Sequence, residues 1–170
     1  MTHQKWCIVQ LYGGGLSLED LANVTFITGS RTGNESIINT ALSFYGQVGG
    51  EPFWTWWGYS SRVDWCAIFV SYCMNLSGHS EVCYQSCKDG GVPYFQGLGQ
   101  WADGSFTDLA AGDVIFFDWE GDGIANHTGL VIGTDGTYVY TIEGNSCDAC
   151  RIKQYELGSG VILGYGLMNY

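Results

Sequence analysis

The feature that most constrains this chain is a change of hydrophobic period near residue 112. Before it, apolar residues recur every three or four positions. NESIINTALSFYGQVGG, from Asn34, sets Ile37, Ile38, Ala41, Leu42 and Tyr45 on one helical face, with Gly46 as a stop. DWCAIFVSYCMNLSG does the same with Cys66, Phe69, Val70, Cys73 and Leu76, ending at Gly78. After residue 112 the period falls to two. GDVIFFDW, HTGLVIG, TYVYTIEG and GVILGYGLM read as strands bounded by glycine or acidic turns. EPFWTWWGYSSR reads as an aromatic loop, and residues 79–112 as loop. Helices followed by an antiparallel sheet specify an α+β domain.

Its extent follows from composition. Residues 1–33, rich in Gly, Ser and Thr with one short helix signal (SLEDLANV), read as an N-terminal extension or linker to a domain spanning 34–170. The 170 residues suit one domain, and 46% hydrophobic content with two prolines excludes disorder. No apolar run nears the roughly 18–20 residues that span a bilayer, so no membrane partner is expected. The opening MTHQKWCIVQLYGGG lacks the cationic start, apolar core and cleavage site of a secretory signal, so an export signal is not expected in this stretch. Six basic against seventeen acidic residues, a net charge of −11, oppose nucleic-acid binding and unaided attraction to anionic polymers. A neutral or peptide-like partner fits better.

Cys66 is the residue that asks for chemistry. Asp64 is a natural N-cap, which sets Cys66 at the second helical position, where free N–H groups and the helix dipole favour a thiolate. Asp64 pulls the other way, so a nucleophilic cysteine also needs a base held by a third group. The chain has three histidines. His3 lies in the extension, His79 follows a helix-ending glycine, and His127 opens the strand HTGLVIG. A three-residue turn at Thr134, Asp135 and Gly136 pairs Gly133 with Thr137 and sets His127 opposite Glu143. One face then carries His127, Gly129, Val131, Thr141 and Glu143, with room for the Cys66 helix; Leu130, Ile132, Tyr138, Tyr140 and Ile142 form the core face. A two-residue Asp135–Gly136 turn instead separates His127 from Glu143. In the first register Glu143 accepts the second histidine N–H, and Asn145 shares that task or holds the site's edge.

These residues lie in blocks that resemble a known family. DWCAIFVSYC, AGDVIFFDWEGDGIANHTGLVIG and VYTIEGNS resemble, in order and spacing, the signature blocks of a CHAP domain, the cysteine- and histidine-dependent amidohydrolases/peptidases within the wider papain-like NlpC/P60 group. The resemblance runs from about Asn34 to Tyr170 and includes the aromatic approach and the closing ILGYG. It implies a papain-like fold with the nucleophile helix on an antiparallel sheet, and a secreted or wall-associated monomer that cleaves an amide bond of peptidoglycan, in the stem peptide, its cross-bridge or its link to the sugar. Carried over block by block, Cys66 is the nucleophile, His127 the base, Glu143 its orienting residue and Asn145 an assistant. The Cys66 N–H is an oxyanion donor; some relatives supply a second from a polar side chain just before the cysteine, where this chain has Trp65. Trp54, Trp56, Trp57, Tyr59 and Trp65 are candidates to line a substrate groove. A non-catalytic wall-binding module, and an amidase or acyltransferase acting elsewhere, are the other readings.

The remaining motifs are weaker. Seven cysteines leave at least one thiol unpaired. Cys73 is about 10.5 Å along the helix from Cys66, beyond disulfide reach. Cys83 with Cys87 and Cys147 with Cys150 have spacings open to a disulfide in a secreted protein, or less readily to zinc; Cys7 is unassigned. DWEGDG offers Asp118, Glu120 and Asp122 as the first half of a calcium loop, but its twelfth position is Gly129 rather than a bidentate glutamate. No metal or cofactor is expected.

Overall fold

The computed structural model describes residues 15–170, so His3 and Cys7 lie outside the described residues. Helices α1 (Leu18–Ala22), α2 (Glu35–Leu42), α3 (Glu51–Trp57) and α4 (Cys66–Leu76) come first. A π-helical turn at Cys87–Gly91 leads into α5 (Val92–Gly97). Strands β1 (Trp101–Asp103), β2 (Val114–Phe117), β3 (His127–Thr134), β4 (Tyr138–Glu143), β5 (Arg151–Glu156) and β6 (Ile162–Gly166) follow. They form one sheet in the order β1-β6-β2-β3-β4-β5, with every neighbouring pair antiparallel. The architecture is the α+β one that the change of period specifies.

Local chemistry explains the helices. The Asn34 side chain caps α2 by accepting from the N–H groups of Ser36 and Ile37, and Ile37, Ile38 and Ala41 are buried. Tyr45, placed on the same face by periodicity, lies past the helix end and is exposed. The stretch read as an aromatic loop is helix α3. Left-handed Gly50 and Gly58 bracket it, and Pro52 sits in its first turn, where a missing N–H costs nothing. A Cβ on Gly50 would lie 2.3 Å from the Trp65 ring, so that glycine also allows a close approach.

Helix α4 is the centre of the molecule. From Cys66 to Met74 only Tyr72 escapes full burial, so the expected single stripe is buried nearly all round. Leu76, assigned to the stripe, is exposed. Burying Ile68, Phe69, Val70 and Met74 contributes about 1.5–3 kcal/mol for each side chain. These residues form one core with Val114, Phe116, Leu130, Ile132, Ile142 and Ile152. The opposite sheet face makes a second core from Ile115, Phe117, Val131, Val139, Tyr155 and Tyr165, under Phe106, Trp119 and Leu157. The helix therefore lies on the Leu130 face, not on the small-residue face expected from the sequence. Its large apolar side chains require the broad apolar surface that Leu130, Ile132 and Ile142 provide.

Two further regions differ from the sequence reading. Residues 79–112 carry the π turn, α5 and β1 rather than loop alone, and β5 adds an edge strand. Residues 16–31 run along the domain. Leu16 bridges Ile152, Ile27 N–H donates to the Thr134 carbonyl at 2.8 Å, and Phe26 meets Tyr140 edge-on. Arg31 pairs with buried Asp113 and donates to the Met168 carbonyl at 2.8 Å.

Candidate functional site

The β3–β4 hairpin decides whether His127 and Glu143 share a face. The three-residue turn expected from the sequence is not the one formed. Thr134 pairs with Val139 and Gly133 with Tyr140, leaving residues 135–138 as the connection. Asp135 fills that connection by accepting from the N–H groups of Thr137 and Tyr138, each at 2.8 Å. Continued unbroken, this register would oppose Glu143 to Leu130 and turn it away from His127. The ladder shifts instead between Val131 and Gly133, leaving Ile132 as an extra residue, and resumes with Val131 opposite Thr141 and Leu130 opposite Ile142. Glu143 then falls opposite Gly129, one same-face step from His127. A Cβ on Gly129 would lie 2.7 Å from the Glu143 Cγ, so the glycine leaves that side chain its room.

The resulting arrangement is buried and specific. His127 Nε2 lies 2.8 Å from the Glu143 Oε2, and the two residues are 3% and 0% exposed. The other carboxylate oxygen accepts from the hydroxyls of Thr141 at 2.7 Å and Tyr155 at 2.8 Å. The imidazole packs against Phe117 and Trp119, which fix its plane. With Nε2 engaged by Glu143, Nδ1 is the nitrogen left for Cys66, whose thiol and the His127 ring interact side chain to side chain.

Cys66 is the first residue of α4 rather than the second. Trp65 occupies the N-cap position, with its ring stacked on Phe53 at 5.2 Å, while Asp64 accepts from the Asn145 side chain at 3.3 Å. Aromatic burial thus claims the cap position in place of an aspartate side chain. The first turn still directs unpaired backbone N–H groups towards the sulfur's end of the helix.

The charges reinforce one another. A hydrogen bond from the Cys87 thiol, with further help from His127, draws the Cys66 thiol well below its ordinary range despite burial. Burial alone would lower His127, but Cys66 and Glu143 outweigh it and raise the imidazolium to about 10. Burial opposes ionisation of Glu143 too, yet His127, Thr141 and Tyr155 hold it below the usual range. All three shifts favour a thiolate beside an imidazolium beside a carboxylate.

The other candidates have separate positions. Asn145 meets Arg62 at 3.0 Å and Asp64 at 3.3 Å, on the chain leading into α4, rather than His127. It adopts a left-handed backbone (φ 56°), and Arg62 also binds Asp148 at 2.8 Å. Trp65 is fully buried and cannot line a groove; its indole N–H lies 3.3 Å from the Asp148 carboxylate. Trp54, Trp57 and Tyr59 are half-buried against the helix-side core, and Trp56 is exposed. Trp54 donates to the Gly49 carbonyl at 2.9 Å, and Tyr59 to Gln85. His79 is taken up by Asn34, Glu81 and the Tyr170 ring, away from Cys66.

Neither cysteine pair proposed from spacing is joined. Cys66, Cys73, Cys83, Cys87 and Cys150 are free thiols. Cys83 is exposed while Cys87 is buried, with its sulfur 3.8 Å from that of Cys66. Cys150 is buried, while Cys147 sits half-exposed in a left-handed turn. Among the described residues no three metal-ligating side chains gather into a cluster. The Asp118 carboxylate is occupied by the backbone N–H groups of Glu120, Gly121, Asp122 and Gly123. It closes the turn that leads to His127.

Sequence reasoning did not find Cys87 or Tyr155 as parts of this site, and it placed Gly129 on the shared face without its role beside Glu143. Gly129 and Tyr155 acquire meaning only through strand register. The odd thiol count was the one available hint of Cys87.

No curated protein sequence matches the chain significantly. Among solved structures, an NLP/P60-family protein described as similar to lipoprotein, from Staphylococcus aureus subsp. aureus Mu50, is alike at a TM-score of 0.50 and 17% identity. The match covers 88% of this chain and 47% of that one, so the chain spans about half the length of its structural relative. At this identity the likeness speaks for the fold alone. Residues 54–145, more than half of the chain, match the model of the CHAP domain and contain Cys66, His127, Glu143 and Asn145. The chain belongs to the CHAP domain family of cysteine- and histidine-dependent amidohydrolases and peptidases.

Proposed function

We propose that the protein hydrolyses an amide bond of peptidoglycan, through Cys66 as nucleophile, His127 as general base and acid, and Glu143 as the residue that orients the imidazole. One observation carries the reading: the Cys66–His127–Glu143 chain, whose last link is a 2.8 Å hydrogen bond between fully buried groups. In the first step the Cys66 thiolate attacks the amide carbonyl, and the His127 imidazolium protonates the departing amine. Water, deprotonated by His127, then hydrolyses the thioester. The oxyanion formed in each step is met by the backbone N–H of Cys66 at the start of α4. Glu143 holds Nε2–H, so that Nδ1 faces the sulfur, and stabilises the imidazolium.

Asn145 serves as a positioning residue, steadying the Arg62–Asp64 segment ahead of the nucleophile. Trp54, Trp56, Trp57 and Tyr59 are the aromatics available to a stem peptide or cross-bridge. Residues 34–170 form the catalytic body, and action on peptidoglycan sets the protein to work at the cell wall. No helix among the described residues is long and apolar enough to cross a membrane.

The test is digestion of purified peptidoglycan of several chemotypes by the reduced protein and by Cys66→Ala, with fragments read by mass spectrometry. The reading expects new amine-bearing fragments with the wild type and none with Cys66→Ala. The fragment masses identify the amide. Equal release by both proteins, or release by neither, overturns it.

A further inference from the structure

The thiol contact between Cys66 and Cys87 does more than favour the Cys66 thiolate: it sets two oxidisable sulfurs side by side. The two sulfurs lie 3.8 Å apart, in contact across two elements, one at the first residue of α4 and the other at the first residue of the π turn. Both residues are nearly closed off, at 9% and 7% exposed. The remaining described thiols are less suited: Cys73 is two helical turns away, Cys83 is exposed, and Cys147 and Cys150 follow β4.

We infer that Cys66 and Cys87 form a redox modification site, in which a small hydroperoxide converts the pair to a disulfide and withdraws the Cys66 sulfur from catalysis. The consequence for catalysis rests on the proposed role of Cys66; the chemistry of the pair does not. The Cys66 thiolate attacks one peroxide oxygen, the O–O bond breaks, and hydroxide leaves from a Cys66 sulfenic acid. The Cys87 sulfur then attacks the Cys66 sulfur and an S–S bond forms. The S–O bond breaks, and its hydroxyl leaves with the Cys87 proton as water. Two thiols lose two electrons, a proton from the His127 imidazolium turns the departing hydroxide into water, and hydrogen peroxide ends as two molecules of water. The electrostatics suit this order of events, since Cys66 is the readily ionised sulfur and Cys87 keeps its proton. Closure takes the sulfurs from 3.8 Å to about 2.05 Å, with side-chain rotation at both ends. Burial restricts the oxidant to a small molecule. The linked form also protects Cys66 from irreversible oxidation to the sulfinic acid.

The experiment treats the reduced full chain with a slight molar excess of hydrogen peroxide, alkylates residual thiols and digests it without reductant. Mass spectrometry is expected to find the Cys66 peptide joined to the Cys87 peptide, with two hydrogens lost. Peptidoglycan hydrolysis is expected to vanish with the linkage and return with dithiothreitol. In Cys87→Ser the linkage is expected to be absent, and Cys66 to proceed to a sulfinic acid that dithiothreitol does not reverse. Sulfinic acid forming as readily in the wild type as in Cys87→Ser overturns the inference, as does linkage of Cys66 to Cys83. The two readings fail separately: linkage in a protein that never cleaves peptidoglycan sinks the hydrolase, and cleavage without linkage sinks the redox pair.

Discussion

The two ends of the Cys66–His127–Glu143 chain are built by opposite means. Cys66 owes its place to local sequence: it is the first residue of a helix that eight buried side chains hold in the core. His127 and Glu143 lie 16 positions apart and meet only because a bulge at Ile132 resets the strand register between them. The Cys66 end is a packing result and should tolerate changes at a distance. The His127–Glu143 end, the base in the proposed mechanism, depends on every residue that governs how β3 faces β4. Errors in sequence or in folding should therefore harm the base before the nucleophile.

The sharpest way to break the base end alone is at Glu143. Glu143→Ala leaves the His127 ring, Thr141 and Tyr155 without their buried acceptor and is expected to cost about 3–5 kcal/mol in denaturant unfolding. Glu143→Gln keeps an acceptor and the shape, so it separates charge from packing. Its expected loss is about 10²–10⁴-fold in kcat/KM with a much smaller loss of stability. It also has a pH signature. In the proposed mechanism the wild-type imidazolium, raised to about 10 by Cys66 and Glu143 against burial, must hold a proton for the departing amine. The alkaline limb of activity is therefore expected at about 10, activity being lost as pH rises through it. Removing the Glu143 charge lowers the His127 pKa, so the alkaline limb moves down. An unmoved limb in Glu143→Gln would assign the limb to a different group.

A subtler break targets the space that register creates. Gly129→Ala leaves every catalytic group intact, but its Cβ would lie 2.7 Å from the Glu143 Cγ and 3.1 Å from the Ile142 carbonyl oxygen. Backbone cannot yield cheaply, so Glu143 shifts. The expected outcome is roughly tenfold lower kcat and about 1–3 kcal/mol lower stability. The Cys66 thiolate absorbance should persist while kcat falls, since the nucleophile end is not touched. Unchanged kcat would show that the hairpin relaxes around the added methyl.

This asymmetry also explains what could be read in the sequence. Cys66 was legible because helical period, apolar face and stop signal all lie within one continuous segment. Sharing of a face by His127 and Glu143 was legible, but by a turn that does not form. The true connection is longer, and the bulge restores the parity that the shorter turn supplied. Gly133 follows Ile132 but reads in the sequence as the boundary between strand and turn, so only the paired strands reveal the bulge. Strand β5 escaped notice because Arg151, Lys153, Gln154 and Glu156 mask Ile152 and Tyr155, and Lys153 is buried all the same. Helix α3 was hidden by Pro52 and by aromatic crowding. Trp65 looked available to substrate because the sequence does not show the stacked Phe53.

Asn145 joins the two ends, and its removal should have the smallest effect. It lies two residues after Glu143, yet its side chain reaches across to Arg62 and Asp64, just ahead of Cys66. Asn145→Ala removes both contacts and leaves a left-handed backbone that alanine adopts at a cost of about 1–2 kcal/mol. Asn145→Gly removes the same contacts without that strain. If the side chain positions the segment before the nucleophile, both variants should lose a similar few-fold in kcat/KM. Only the alanine variant should also lose stability by about 1–2 kcal/mol in urea unfolding. A glycine variant with full kcat/KM would confine Asn145 to backbone shape and leave the two ends of the site joined only through the His127–Cys66 contact.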